Sequence, residues 1–219
     1  MLSDQLGPSQ VITSKISPDR LLKDLDRFKQ KTLEFGASMV QVIPADWVPI
    51  DERVRLKCSI PLCPNYDKSI HCPPHTPTTE SIRKALSQYS HAILFALEIF
   101  PVDHFSVRAT QRYAAADWTK KCFEIVGCLE TLALGSGYYL AMGFGQGSCR
   151  KALCGQNKCL VLEGRDCPYP LKSRPSMEAV GIDVYGLVTR VGWEIYPIYR
   201  SVNPAQVPRA LSVGIVFIH

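Results

Sequence analysis

Seven of the nine cysteines fall into two short segments, and this clustering limits what the chain can fold into more than any other feature. The first set is spaced C-x4-C-x8-C and the second C-x4-C-x4-C-x7-C. The two sets are Cys58, Cys63 and Cys72, and Cys149, Cys154, Cys159 and Cys167. Their neighbours are Gly, Asn, Lys, Asp and Pro, which do not build an apolar core. Thiols clustered in such segments indicate metal binding.

The setting of these thiols argues against a disulfide framework. Residues 1–20 lack the apolar stretch of a secretory signal peptide. No apolar run approaches the roughly 20 residues that cross a bilayer. We therefore expect a cytoplasmic protein without membrane association, and cytoplasmic thiols stay reduced. The odd number of cysteines also prevents complete pairing.

The spacing of the cysteines favours iron–sulfur over zinc. Structural zinc sites usually take their ligands from two pairs of closely spaced residues. Neither set contains a C-x2-C pair, and wider intervals suit thiolates at the separate corners of a cubane. Proline follows Cys63, Cys72 and Cys167, as it follows a cluster cysteine in ferredoxins. We predict one or two 4Fe–4S clusters, with a zinc-stabilised binding module as the alternative.

The second set supplies four thiols, whereas the first supplies three and leaves one cluster corner without a cysteine. Cys122 or Cys128 could close it, although both lie in an apolar helical pattern that suits core cysteines. His71 or His75 could bind instead, by analogy with the histidine ligands of Rieske centres. The position could also be open to solvent or an exogenous ligand, or the cluster could be incomplete. An open iron could bind substrate, whereas a cluster held only by thiolates mainly carries electrons.

Three weaker signals surround the second set. Gly143, Gly145 and Gly147 fit neither the dinucleotide fingerprint nor a P-loop. We predict that they form a cofactor-binding loop whose N–H groups approach cluster sulfurs, with a flavin or nucleotide phosphate as the alternative. Glu178 and Arg174 are further candidates for ligand contact, although a favourable charge at a helix start also explains Glu178. Four basic residues interleave with the set, either offsetting an anionic cluster or solubilising the loop: Arg150, Lys151, Lys158 and Arg165.

The order of helical and strand patterns predicts an α/β or α+β fold, with helices packed on a mixed sheet and two Cys-rich loops carrying metal clusters. Predicted helices cover 18–35, a short stretch after Thr76, 107–134 and 175–190. Predicted strands cover 38–43, 92–100, 138–144, 193–199 and 211–218. We expect residues 1–15 to be a flexible N-terminal segment and residues 16–219 a single domain.

Three stretches resemble a prokaryotic family of predicted metal-binding proteins of unknown function. They are "RLKCSIPLCPNYDKSIHCPPHTP", the segment from "GSC" to "DCPYP", and "RPSMEAVGIDV". The similarity runs from about residue 35 to the C-terminus. It implies a cysteine-rich metalloprotein, with iron–sulfur favoured, and it implies no reaction.

The sequence thus predicts a cytoplasmic iron–sulfur protein that exchanges electrons with a redox partner protein. The alternative is an enzyme that uses an open-site cluster, or a cluster that feeds a bound flavin or corrinoid. The formal charge of +5 is mild, and no Lys/Arg run marks a nucleic-acid surface. We therefore expect no nucleic-acid partner.

Overall fold

A computed structural model describes residues 10–13, 15–106, 112–198 and 203–219. Six α-helices and four β-strands are distinguished within them. The helices are α1 (Pro18–Glu34), α2 (Glu52–Leu56), α3 (Thr79–Leu86), α4 (Asp103–Ser106), α5 (Arg112–Gly135) and α6 (Val184–Arg190). The strands are β1 (Met39–Pro44), β2 (His91–Glu98), β3 (Met142–Phe144) and β4 (Leu211–Phe217). None of the helices in the described part of the chain has the length and apolar character needed to span a membrane.

Helix α1 begins and ends where the sequence predicts. The Ser17 side chain accepts a hydrogen bond from the Arg20 N–H, which caps the first turn, and Pro18 occupies the first helical position. After the helix, Gly36 adopts a φ of +100°, a left-handed conformation that glycine tolerates without strain. The predicted helix is therefore confirmed to within one residue.

The four strands form one sheet in the order β1-β2-β4-β3, and every neighbouring pair is antiparallel. The fold is therefore α+β, and the prediction of a mixed sheet was wrong. Strands β2 and β3, which α4 and α5 connect, do run in the same direction, but β4 lies between them and pairs antiparallel with both. Within the sheet, Phe95 lies opposite Gly214, where a side chain would collide with the Phe95 ring.

Helices cover both faces of the sheet, which explains why β2 is a continuous apolar run. Alternate side chains of a strand point to opposite faces. Ile93, Phe95 and Leu97 pack with α1 and α5 on one face. Ala92, Leu94 and Ala96 pack with α3, α6 and the segment around Val180 on the other. The core thus consists of two apolar layers separated by the sheet.

Helix α6 is shorter than predicted, because the pattern from 175 to 190 is broken. A short 3-10 turn (Glu178–Val180) ends at Gly181, which has a φ of +90°. A Cβ on Gly181 would collide with the side chain of Thr79. Asp183 then caps α6 by accepting from the Gly186 N–H. The prediction of one continuous helix was wrong, and the break brings Glu178 out of the helix and toward the first cysteine set.

Two predicted strands also differ from the structure. Residues 193–198 form no strand, and Pro197, which has no N–H to donate to a ladder, lies among them. Of the predicted strand 138–144, only Met142–Phe144 pairs with the sheet. The start of the predicted long helix, 107–111, and most of the predicted flexible segment lie outside the described residues. The single-domain assignment remains a prediction.

The cysteine sets lie on two loops that contact each other, where the Cys159 N–H donates to the Lys68 carbonyl. The first loop joins α2 to α3, and the Thr76 hydroxyl ties its end to the Ala179 carbonyl at 2.9 Å. The second begins after β3 and is closed at its base by a bridge between Gly145 and Ser176. Just inside the base, the Arg174 guanidinium pairs with the partly buried Glu130 carboxylate of α5. Losing one partner of a fully buried ion pair costs about 3–5 kcal/mol. This pair is partly exposed, so its loss should cost less, but the contact still helps to hold the loop.

Candidate metal centres

The first cysteine set lines one large cavity. The sulfur-bearing residues Cys58, Cys63 and Cys72 border a space of about 570 Å³, within the range of small-molecule sites. The loop closes on itself through the Cys63 N–H, which donates to the Cys58 carbonyl at 2.9 Å. Polar and charged residues complete the wall, among them Asn65, Tyr66, Gln146, Glu178 and Tyr185. A ligand in this cavity would meet three thiols on one side and mixed polar groups on the other.

The second cysteine set surrounds its own cavity. Cys149, Cys154, Cys159 and Cys167 all border it. By the same measure this cavity is about 10 Å³, room for about one water molecule. Cys149 precedes a single π-helical turn (Arg150–Cys154), and Cys159 precedes a 3-10 turn (Leu160–Glu163). These turns bring four thiols together in a site that is closed to small molecules.

The two sites share a wall, because the loops pack against each other. The Cys159 N–H donates to the Lys68 carbonyl of the first loop at 2.9 Å. The Ser69 hydroxyl lies 3.6 Å from the Cys149 sulfur. Cys72, from the first set, is close enough to Cys149 for their charges to interact. The seven thiols therefore divide four and three between adjoining cavities.

Backbone N–H groups point at sulfurs in both loops. The Asn65 N–H donates to the Cys63 sulfur at 3.5 Å. Burial acts to raise the pKa of Cys159, but hydrogen bonds from the N–H groups of Ile70, Val161 and Leu162 lower it overall. Such bonds stabilise thiolate, the form that binds metals. Sequence reasoning missed these donors, although Asn65 and Val161 each lie two residues after a cysteine.

The most enclosed thiol of each set instead has a raised pKa. Burial raises the pKa of Cys72 to about 11, although the Ser148 hydroxyl opposes the shift. Burial likewise raises the pKa of Cys149 to about 12, opposed by Ser69. These thiols stay protonated at neutral pH without a cation, so a metal must displace their protons when it binds.

These differences predict the order in which the metal-free thiols react. Alkylation requires thiolate, and the thiolate fraction at a given pH rises as the pKa falls. At pH 7.5, Cys159 should therefore be labelled by iodoacetamide before Cys72 and Cys149. Peptide mass mapping of the metal-free chain over time measures the order. Cys122 serves as the control, since it is fully buried with a pKa of about 12 and should react only after unfolding. Labelling of Cys149 before Cys159 would contradict the prediction.

None of the proposed histidine or helical cysteine ligands lines the first cavity. Cys122 lies in the core between α5 and β4, with its sulfur 3.7 Å from the Val213 carbonyl. Cys128 is half-buried on α5, where the charges of Glu124 and Lys172 act on it. His75 is exposed and contacts Asp67 at 2.7 Å. His71 borders the second cavity instead, and burial, with a contribution from Arg174, lowers its pKa to about 4.

The predicted glycine loop meets the site at one end. The Gly143 N–H donates to Glu130 at 2.6 Å, and the Gly145 N–H donates to the Pro175 carbonyl at 3.1 Å. Gly147 lines the first cavity with a φ of +68°. The first two glycines thus hold the base of the second loop, and only Gly147 borders a thiol site. Their role toward a cofactor remains a prediction.

The four basic residues of the second loop are not equivalent. Lys151, Lys158 and Arg165 are exposed, and Arg165 pairs with Glu163 at 2.6 Å. Arg150 is buried and borders the second cavity.

Among the residues that the structure describes, no group of three or more His, Cys, Asp or Glu side chains is arranged to hold a metal ion.

A family model described as "Predicted metal-binding protein (DUF2284)" matches residues 41–217. The match covers both cysteine loops and the whole sheet except the first two residues of β1. Neither a curated protein nor a solved structure matches the chain. The chain belongs to this family of predicted metal-binding proteins.

Proposed function

We propose that this member of the predicted metal-binding family is a cytoplasmic iron–sulfur protein that holds two 4Fe–4S clusters and exchanges electrons with a redox partner protein. One observation carries the proposal. Seven thiols from two distant segments divide four and three between two adjoining cavities. Such a division matches two multi-iron sites better than it matches scattered structural cysteines.

The donor set supports a cluster over a single zinc ion. Zinc would need four ligand atoms around one point, with sulfurs about 2.3 Å from the metal. A cubane takes one thiolate at each of its separate corners, so thiols placed around the walls of a cavity suit it. The second cavity is narrow, but Cys154, Cys159 and Cys167 are only partly buried on short turns. Their side chains can therefore spread around a larger group.

The surroundings of the sulfurs support a redox role. Hydrogen bonds to sulfur and the degree of solvent exposure both set the potential of such clusters. The N–H groups of Asn65, Ile70, Val161 and Leu162 are in place to donate to cysteine sulfurs. The shared wall between the cavities brings the two sites close together. When bound, the clusters would supply one-electron chemistry, and this chain would hold them, shield one of them and tune both.

The test is anaerobic purification of the full chain, followed by iron, sulfide and zinc analysis and by EPR of the reduced protein. We expect about eight irons and eight sulfides per chain, with absorbance near 400 nm. Zinc in place of iron would overturn the proposal and favour the zinc-stabilised binding module. A single cluster with about four irons would restrict the proposal to one site.

A second candidate function is an enzyme, and the size of the first cavity favours it. A space of about 570 Å³ is larger than a cluster needs, and Tyr66, Tyr185, Asn65 and Gln146 line it beyond the three thiols. A cluster held there by three thiols would keep one iron available to another ligand. A small molecule could then reach that iron and contact the polar wall.

A further inference from the structure

Arg150 is a buried cation whose charge no carboxylate neutralises among the described residues. Its side chain is 6% exposed. The guanidinium donates to the Gln156 carbonyl and, at 3.1 Å, to the Asn65 amide oxygen, both of which are neutral. Its Nε is buried without a hydrogen-bond partner. Buried charges in proteins are normally paired with an opposite charge, because leaving water costs an ion a large solvation energy.

The other well-shielded arginine of this region shows what normal pairing looks like. Arg174 retains 24% exposure, and it pairs with the Glu130 carboxylate. Arg150 is more deeply buried and yet has only neutral partners among the described residues. The chain therefore buries a positive charge at a position where a negative group other than a carboxylate of the described residues would neutralise it.

The position of Arg150 indicates which groups these are. It borders the second cavity, and its charge acts on Cys154 there. Its hydrogen bond to Asn65 reaches the wall of the first cavity, and its charge also acts on Cys72 of the first set. One guanidinium thus faces both thiol sites from their shared wall.

We propose that Arg150 is the shared counter-ion of the two clusters and raises the reduction potential of both. This inference rests on the proposed function. A 4Fe–4S core with four thiolates carries about −2 when oxidised and about −3 after accepting one electron. A nearby cation stabilises the more negative state more strongly, so it favours reduction. Arg150 therefore acts on the potentials of the clusters and does not contact a substrate.

The test compares Arg150→Gln, Arg150→Lys and Lys151→Gln in the anaerobically purified full chain, by redox titration followed by EPR. Arg150→Gln should shift the reduction equilibrium of both clusters at least tenfold toward the oxidised state, which is 59 mV for a one-electron couple. Arg150→Lys keeps the charge and should stay near wild type. Lys151→Gln removes an exposed neighbouring charge and should shift either cluster less than threefold, because solvent screens it.

The outcomes separate this inference from the proposed function. A wild-type chain without iron contradicts the proposed function before Arg150 is tested. A loaded chain whose potentials do not change in Arg150→Gln, or change equally in Arg150→Lys, overturns the counter-ion role alone. If Arg150→Gln binds no iron while Arg150→Lys does, the requirement for a positive charge is supported. Loss of iron from both variants shows that the shape of the side chain matters, and it overturns the inference.

Discussion

Replacing Cys154 with serine is expected to remove about four irons per chain and to leave the rest bound. Cys154 lies at the end of the π-helical turn and borders the closed second cavity with three other thiols. The structure describes all nine cysteines and none besides these four borders that cavity, so no other thiolate is placed to replace the lost one. Iron and sulfide analysis, together with loss of one of two EPR signals, measures the result.

Cys128→Ser is the matched control for this experiment. Cys128 is partly buried, as Cys154 is, but it lies on α5 outside both thiol cavities. Its replacement should leave the iron content at about eight per chain. Unchanged iron in Cys154→Ser, or equal losses in both variants, would contradict the assignment of the second set.

The thiol sets could be found from the sequence because each lies within a short segment. Cysteines that share one short loop come together when its turns fold the chain back, as the π-helical and 3-10 turns do between Cys149 and Cys167. The run from Ala92 to Leu97 likewise predicted a buried strand, because helices cover both of its faces. Local pattern and local chemistry were sufficient for these features.

Other features depend on contacts between distant segments, which a single sequence does not reveal. His71 is adjacent to Cys72, yet its ring borders the cavity of the second set. Arg150 and Lys151 are neighbours in one turn, yet Arg150 is buried beside Asn65 and Lys151 is exposed. The break at Gly181 arises where Thr79 packs against it from another helix. Packing of this kind also places Glu178 in the wall of the first cavity.

The fourth corner of the first cluster is expected to bind an added small ligand. Added cyanide or a small thiol should change the EPR signal of that cluster, because three cysteines line its cavity and none of the predicted histidine or helical cysteine ligands does. The cavity of about 570 Å³ gives such ligands access. The second cluster should not respond, since four thiols enclose a site with room for about one water molecule.

Variants assign the response to one site. In Cys154→Ser, which should lack the second cluster, the response to cyanide should persist, whereas in Cys63→Ser it should disappear. A wild-type signal that ignores both added ligands would show that a protein group closes the site, which would rule out the open-site enzyme and leave electron exchange as the function. The cavity wall offers three carboxylates for that role, from Asp51, Glu178 and Asp183. The charge of Glu178 acts on the Cys58 thiol of this set. If the site is closed, Glu178→Gln should therefore make the cluster signal responsive to cyanide. A response that is already present in the wild type identifies an iron that is open to an added ligand or a substrate.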